Sequence, residues 1–537
     1  MSDPADAGAN EPAAEPAAEP AAQGQAGIHR RIATGIASKV ISIGLVFGEQ
    51  LMLVPVFLLY WGPEKYGHWL ALFSTAAFLS LADIGLQNYY SNALHHARSR
   101  SENDRFRRLL QQAMTLYLLI IALVGSASLA VFLAVDWDET LNIGLLFASS
   151  APLVLCLLGL YFLIVMPMGV LIAIHRAHGN FSRAINASNI YRATLIVAIA
   201  TTLSLGGGPL SMAGIYLLVT LGLYTAFLLR IRQHYRQTVT FGLSWPDRAA
   251  IRDLLHTAPL FALVPLSMML TINGAVILIA GLAASGTVVV AYTTIRTLTG
   301  IVRTVTAELT QVAGVEIARQ HAQEDFEAIG RLYRFTARLA GSSCGILAGF
   351  IAIIGPPFLE FWTVGKVAFA PQIFWPLLAA AALAGPSSAG VSVLLFINRP
   401  QGLALGYILS GLAVILLCLV LIPTIGAAGA AWAILAAEIG VLGIVIPVKT
   451  SKVVSIGAVR QIAVTHLHAL LGFSVSAAAA LAAVSLTGQK SITALIIAGV
   501  LWIAIAGVPV FFLLFEKDKR NWILTKFRDR LPRGAQP

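Results

Sequence analysis

Two arginines within one apolar run have the residue type and spacing that most directly suggest chemistry. Arg296 and Arg303 lie seven residues apart in the run 288–313. That spacing is close to two helical turns, so both side chains fall on one face of a helix. Guanidinium groups keep their charge when partly desolvated and bind phosphate oxygens through paired hydrogen bonds. The two arginines therefore predict a site for an anionic group such as a phosphate. The alternative for Arg303 is a packing pair with Glu308 or with an acid on another helix.

The same run is too polar for a helix surrounded by lipid. Its hydroxyl side chains belong to Thr293, Thr294, Thr297, Thr299, Thr304, Thr306 and Thr310. Hydroxyls and guanidinium groups on one helix face are costly in hydrocarbon and suit a water-filled path. This face is therefore predicted to line a cavity.

Acidic residues inside apolar runs form the second group of candidates. Glu49 lies in the run 38–60, Asp83 lies in the run 67–91, and Glu308 follows the two arginines. A desolvated carboxylate binds a proton more readily than one in water. These three acids are therefore candidates for proton or ion coupling or for lining the cavity. For Glu49 and Asp83, the alternative is a hydrogen bond between helices or a capping contact.

Three other ionisable residues inside the runs have simpler explanations. Arg192 and Arg338 lie within two turns of a run's end, from which a long side chain reaches the headgroups, so both are predicted to be anchors. Glu438 stands among alanines and glycines, the surface at which helices pack closely. A structural role is predicted for Glu438.

The elements that must position these residues are membrane-spanning helices. The chain has 537 residues, of which 58% are apolar and 11% charged, and its mean hydropathy is +0.80. This composition excludes a water-soluble globular enzyme. Runs of about 20 apolar residues are long enough to span the hydrocarbon core, and they predict an all-α integral membrane protein with about fourteen transmembrane helices. The runs are 38–60, 67–91, 109–135, 145–174, 186–206, 211–230, 258–282, 288–313, 332–356, 374–397, 402–422, 426–447, 464–486 and 492–515.

The distribution of positive charge predicts the orientation. Lysine and arginine exceed aspartate and glutamate by 11. Most of them fall in alternate breaks, and the opposite set of breaks holds only Lys65, Lys366 and Lys490. The positive-inside rule then places both termini in the cytoplasm. The basic surplus thus reports membrane topology and does not indicate nucleic acid as a partner.

The breaks also predict an organisation into two halves. The longest internal cytoplasmic break contains Pro246 and lies between the sixth and seventh runs. Even-numbered lobes joined there would share one orientation. The predicted divisions are a disordered cytoplasmic tail (1–30), an N-lobe of helices 1–6 (31–232), a linker (233–257), a C-lobe of helices 7–12 (258–450), helices 13 and 14 (451–515) and a basic cytoplasmic tail (516–537).

The opening helices resemble a known family. Gly48-Glu49-Gln50, the segment Pro55-Val56-Phe57-Leu58-Leu59-Tyr60-Trp61-Gly62-Pro63-Glu64-Lys65-Tyr66-Gly67-His68-Trp69, and Leu81-Ala82-Asp83-Ile84-Gly85-Leu86 resemble Wzx-type polysaccharide flippases, which transport O-antigen and exopolysaccharide units. These flippases form the polysaccharide branch of the MOP superfamily, to which MATE exporters also belong. The layout of the chain is similar from about residue 35 to 515, and the specific match is confined to the first two helices.

The resemblance implies two six-helix lobes in a V around a central cavity, plus two C-terminal helices. It implies an undecaprenyl-pyrophosphate-linked oligosaccharide as substrate, flipped from the cytoplasmic to the periplasmic leaflet of a bacterial inner membrane. The pyrophosphate of such a substrate would bind Arg296 and Arg303. A polysaccharide polymerase and other assembly proteins are candidate partners. Alternating access is the implied mechanism, without a cofactor.

Two other functions remain open from the sequence. A cation-coupled multidrug exporter of the MATE kind would favour an acidic cavity, against which the paired arginines count. A membrane glycosyltransferase or polymerase usually presents a sizeable external catalytic domain, and the longest external break, residues 355–372, is short. The sequence contains no phosphate-binding loop of the form GxxxxGK[ST] and no metal-ligand cluster, so the protein is predicted not to be an enzyme.

Overall fold

The computed structural model describes residues 20–141, 150–283, 285–397, 400–454, 456–488 and 491–514, and all regular structure in these ranges is helical. Ten helical segments among them are long and apolar enough to cross a membrane. The protein is therefore an all-helical, multi-pass membrane protein, as the composition predicts. Each of the fourteen apolar runs overlaps described helices, and the count of fourteen crossings remains a prediction.

The first half of the chain forms eight described helices. They are α1 (Pro20–Ala77), α2 (Leu86–Ser99), α3 (Asn103–Ala134), α4 (Trp137–Leu141), α5 (Ala151–Val165), α6 (Met168–Ala177), α7 (Phe181–Ser204) and α8 (Pro209–His234). α1 packs along α7, and α5 packs against α8.

The second half continues with eleven described helices. They are α9 (Arg248–Met269), α10 (Ala275–Ala283), α11 (Gly286–Ala322), α12 (Phe326–Trp362), α13 (Pro371–Ala384), α14 (Ser388–Phe396), α15 (Pro400–Ile425), α16 (Ala428–Val441), α17 (Val445–Val454), α18 (Ala458–Thr487) and α19 (Ile492–Leu514). α11 packs against both α12 and α1, so it touches both halves.

α1 contains the first two predicted spans, and a bend separates them. Gly62 has φ 74° and ψ 170°, which break the helical geometry and favour glycine. The rings of Phe57 and Tyr66 stack 4.6 Å apart, whereas nine residues of straight helix would separate them by about 13 Å. The chain therefore reverses at Gly62, where the sequence predicts a break.

α1 begins at Pro20, so residues 20–30 of the predicted N-terminal tail belong to this helix. Alanine and glutamine favour helix, and proline suits a first turn. Residues 1–19 and the predicted basic tail lie outside the described residues. The last part of the predicted linker is also helical, since α9 begins at Arg248.

The buried cores show how the two halves meet. One cluster of buried apolar side chains contains residues of both halves, including Trp69 and Tyr292. At the arginine-rich end, one cluster contains buried residues only from 86–239 and another only from 317–454. The halves thus share a core at the predicted outer end and have separate cores at the predicted cytoplasmic end, where α9 lies against α2.

Candidate functional site

A charged pair inside the second half joins α11 to α16. Nη2 of Arg303 donates to the Glu438 carboxylate, and this pair leaves the Nε and Nη1 donors of the guanidinium unused. The Glu438 side chain is 4% exposed and that of Arg303 is 43% exposed. The acid is therefore enclosed by protein, while the base keeps an accessible surface. Of the alternatives open for Arg303, the structure shows the pair with an acid on another helix. Glu438 has the structural contact predicted for it.

Arg296 lies about 15 Å along α11 from Gly286, roughly half the thickness of a hydrocarbon core. Among the described side chains, its Nε is one of the buried polar atoms without a hydrogen-bond partner. The guanidinium carbon lies 6.0 Å from the centroid of the Tyr292 ring, at the limit of cation–π attraction. A buried charged donor left unsatisfied is costly, so this position favours an anionic acceptor. Arg296 and Arg303 are about 10 Å apart along the helix axis.

A second charged pair lies inside the first half. Arg192 of α7 donates to the Glu49 carboxylate of α1, and the two side chains are 39% and 28% exposed. Arg192 was predicted to be a headgroup anchor, and this prediction is wrong, because its guanidinium pairs with Glu49. The carboxylate offsets the cost of placing the charge inside the protein. For Glu49, the structure shows the predicted alternative of a contact between helices. Next to this pair, the Tyr191 hydroxyl lies 3.1 Å from Thr220 Oγ1.

Asp83 has a capping contact, which was the alternative that the sequence left open. Its carboxylate accepts a hydrogen bond from the Tyr117 hydroxyl and one from the Gln87 backbone N–H at 3.3 Å. Ile84 and Gly85 have positive φ, which ends the preceding helical turn before α2 begins. The Asp83 carboxylate thus stabilises the break in the helix that precedes α2. Glu308, the third candidate acid, is half-buried on α11, five residues beyond Arg303.

The segment with the most specific family resemblance forms the outer contact between the two halves. The Glu64 carboxylate accepts hydrogen bonds from the backbone N–H groups of Gly286 at 2.8 Å and Thr287 at 2.9 Å, and from the Thr287 hydroxyl at 2.8 Å. A carboxylate at a helix N-terminus satisfies free N–H groups and the helix dipole. A Cβ added to Gly67 would lie 1.9 Å from the Gly286 carbonyl oxygen. The two backbones are therefore in direct contact.

Two further hydrogen bonds reinforce this outer contact. Trp362 Nε1 donates to the Leu51 carbonyl at 2.7 Å, and Lys366 Nζ donates to the Leu58 carbonyl at 2.8 Å. Both donors belong to the second half and both acceptors to α1. These two bonds and those of Glu64 together form the outer contact.

A histidine-containing segment makes hydrogen bonds at the arginine-rich end of the first half. His178 Nε2 lies 2.9 Å from Thr238 Oγ1, and the Tyr235 hydroxyl lies 2.8 Å from His175 Nδ1 and accepts from Asn180 Nδ2 at 2.9 Å. Burial lowers the pKa of His178 below its ordinary value. The contacts give this segment a structural role, since they fix the loop that leaves α8.

An apolar groove of about 370 Å³ opens between α1, α11, α12 and α19. Its wall includes Leu51, Ile301, Phe350 and Ile496. Ile301 precedes Arg303 by two residues, about 200° around the helix, so the groove and the two arginines lie on opposite faces of α11. Such a groove suits a hydrocarbon chain.

No cluster of three or more His, Cys, Asp or Glu side chains that could hold a metal ion occurs in the described ranges. The cysteines are unpaired: Cys344 and Cys418 are buried and Cys156 is half-buried, and the three lie in different helices.

Comparison with known proteins shows a match in fold but none in sequence. No known family description and no curated protein matches the chain. A structure described as the lipid II flippase MurJ in an inward closed conformation superposes with a TM-score of 0.62 at 14% identity, covering 90% of this chain and the whole of that one. An inward-facing MATE family multidrug resistance transporter of the MOP superfamily superposes with a TM-score of 0.58 at 15% identity, covering 79% of this chain and 98% of that one. The chain therefore has the fold of these membrane transporters.

Sequence reasoning missed three relationships at the site. It did not pair Arg192 with Glu49 or Arg303 with Glu438, and it gave Glu64 no role of its own. The presence of both acids and arginines deep inside the spans was the available signal for the pairs. For Glu64, the signal was its position directly after Gly62-Pro63, at a turn. An acid exposed at a turn can cap the N-terminus of another helix.

Proposed function

We propose that the protein is a flippase that moves an undecaprenyl-pyrophosphate-linked oligosaccharide from the cytoplasmic to the periplasmic leaflet of a bacterial inner membrane, for polysaccharide biosynthesis. Both termini lie in the cytoplasm. The observation that carries the proposal is Arg296, a cation within the predicted span 288–313 whose buried Nε has no partner among the described residues. A pyrophosphate supplies several anionic acceptor oxygens for such a donor.

The surroundings of Arg296 support a lipid-linked substrate. Arg303 lies on the same face of α11 and, although paired with Glu438, keeps an accessible surface that would add hydrogen bonds to the pyrophosphate. The polyprenyl chain would stay in the bilayer, because the apolar groove lies on the face of α11 opposite the two arginines. Thr297 and Thr304, the two threonines of the run 288–313 that are not buried, and the polar side chains beside Glu49 would line a hydrated path for the sugar.

Alternating access is the proposed mechanism. The outer contact closes one end of the path, and the separate cores at the other end permit the halves to part there. Opening toward the periplasm requires release of Glu64 from the start of α11. Glu49 is the proposed coupling acid, because protonation would weaken its pair with Arg192. Asp83, fixed at a helix break, and Glu308 are proposed to line the cavity.

A cation-coupled multidrug exporter is the second candidate, favoured by the fold shared with the MATE transporter. The sign of the free charge distinguishes the two functions, because an unsatisfied guanidinium repels a cationic drug and attracts a phosphate. The exporter therefore predicts that removal of Arg296 leaves drug efflux intact or improves it.

Reconstitution of the full-length chain into liposomes tests the proposal. Flipping of a fluorescent undecaprenyl-pyrophosphate-linked oligosaccharide is measured for the wild type, for Arg296→Gln and for Arg105→Gln as a charge-matched control, since Arg105 forms an exposed pair with Glu102. We expect Arg296→Gln to lose at least tenfold in rate and the control to keep the wild-type rate. Equal rates for all three proteins would contradict the proposal.

A further inference from the structure

A basic cavity lies between α12 and α18, away from Arg296 and Arg303. It has a volume of about 220 Å³ and includes three arginines, Arg334 and Arg338 from α12 and Arg460 from α18. Its inner wall is closed by the buried side chains of Tyr333 and Gln461. The Tyr333 hydroxyl donates to Gln461 Oε1 at 3.1 Å, so the two helices are joined at the base of the cavity.

The position of this cavity is fixed by a close helix seam. A Cβ added to Gly341 would lie 2.4 Å from the Thr465 carbonyl oxygen, and one added to Gly345 would lie 1.9 Å from that of Ala469. Small residues let the two backbones touch. The two contacts are four residues apart on each helix and follow the same order, so the helices run parallel. The seam ends at Thr465, which itself lines the cavity. The three arginines are therefore presented at fixed places beside the seam.

The charge and depth of the cavity match the headgroup layer. Arg334 and Arg338 lie one turn apart near the start of α12, and Arg460 lies near the start of α18. Both starts belong to the arginine-rich end that the positive-inside rule assigns to the cytoplasm. Basic pockets between transmembrane helices at this depth bind anionic lipid headgroups. Ala337 and Val464 complete an apolar wall beside the arginines, as an acyl chain would need.

We propose that this cavity binds the phosphate headgroup of an anionic phospholipid of the cytoplasmic leaflet and thereby fixes α18 to the second half. The ligand would be a structural lipid and not the transported substrate, because the cavity lies outside the surface shared by α1 and α11. The inference does not depend on the proposed function.

Native mass spectrometry of the full-length chain in detergent tests the proposal. Phosphatidylglycerol, phosphatidylcholine and inorganic phosphate are the three probes. The wild type is expected to bind phosphatidylglycerol in preference to phosphatidylcholine and to show no binding of phosphate alone. The double variant Arg334→Gln/Arg460→Gln removes one charge from each helix and should weaken phosphatidylglycerol binding on the order of 30-fold, at about 1 kcal/mol per basic residue.

Two controls make the result specific to the cavity. Arg331→Gln removes a charge from the same helix outside the cavity, where Arg331 pairs with Glu327 at 2.7 Å, and should keep wild-type binding. Arg334→Lys/Arg460→Lys keeps both charges and should keep most of the affinity. Unchanged binding in the double glutamine variant, an equal loss in Arg331→Gln, or binding of inorganic phosphate in place of the lipid would each overturn the proposal.

Discussion

The Glu64 carboxylate accepts a hydrogen bond from the Gly286 backbone N–H at 2.8 Å. This bond crosses from the bend of α1 in the first half to the first residue of α11 in the second. α11 also bears Arg296 and Arg303, so the residue that closes the outer end acts directly on the helix that contains the candidate anion site. α11 therefore joins the outer contact to the candidate anion site in one continuous helix.

Replacing Glu64 by glutamine should weaken the outer contact. Glutamine keeps an acceptor oxygen but loses the charge that favours a helix N-terminus, a change worth about 1 kcal/mol at a partly exposed site. A Val289→Cys reporter on α11 is buried in the shared core, and its labelling by a membrane-impermeant maleimide should increase in the Glu64→Gln variant. Glu360→Gln alters an exposed acid and should leave labelling unchanged. Equal labelling in the Glu64 variant and the wild type would show that this carboxylate does not hold the outer end closed.

A methyl group at position 67 should push α1 and α11 apart through a steric clash. Gly67→Ala places a Cβ 1.9 Å from the Gly286 carbonyl oxygen, so the backbones must move apart at a cost of about 1–3 kcal/mol. We expect a lower unfolding temperature in detergent and a faster outward opening. Gly48→Ala is the matched control, since an added Cβ there meets nothing within 4 Å. If both alanine variants unfold at the same temperature as the wild type, the close approach is not what holds the helices.

The pair of Arg303 with Glu438 should show strong energetic coupling. Glu438→Gln leaves the guanidinium without its counter-charge, with an expected loss of about 1–3 kcal/mol in stability. Arg303→Gln should cost a similar amount, because it leaves a buried carboxylate unpaired. In the double variant the two losses should not add, which unfolding of all four proteins in the same detergent measures. Additive losses would mean that the two residues do not interact.

The presence of membrane-spanning helices could be predicted from the sequence, because the hydropathy of each segment follows from its own residues. Glu49 lies on one of the ten helical segments that are long and apolar enough to cross a membrane, and the depths of Arg296 and Arg303 stay predictions. The partners could not be predicted, because a pair such as Arg192 with Glu49 depends on which helices become neighbours. Asp83 shows the same limit: its contact with Tyr117 requires that α3 return beside the break at Gly85.

The central claim is that Arg296 binds a pyrophosphate, and the affinity of the full-length chain for undecaprenyl pyrophosphate tests it most directly. Undecaprenol, which has the same hydrocarbon chain and no phosphate, is the reference ligand. We expect the wild type to prefer the pyrophosphate. Arg296→Gln should weaken pyrophosphate binding about 10- to 100-fold, the effect of a lost charged hydrogen bond, without changing the affinity for undecaprenol. Equal affinity of the wild type and Arg296→Gln for undecaprenyl pyrophosphate would contradict the claim.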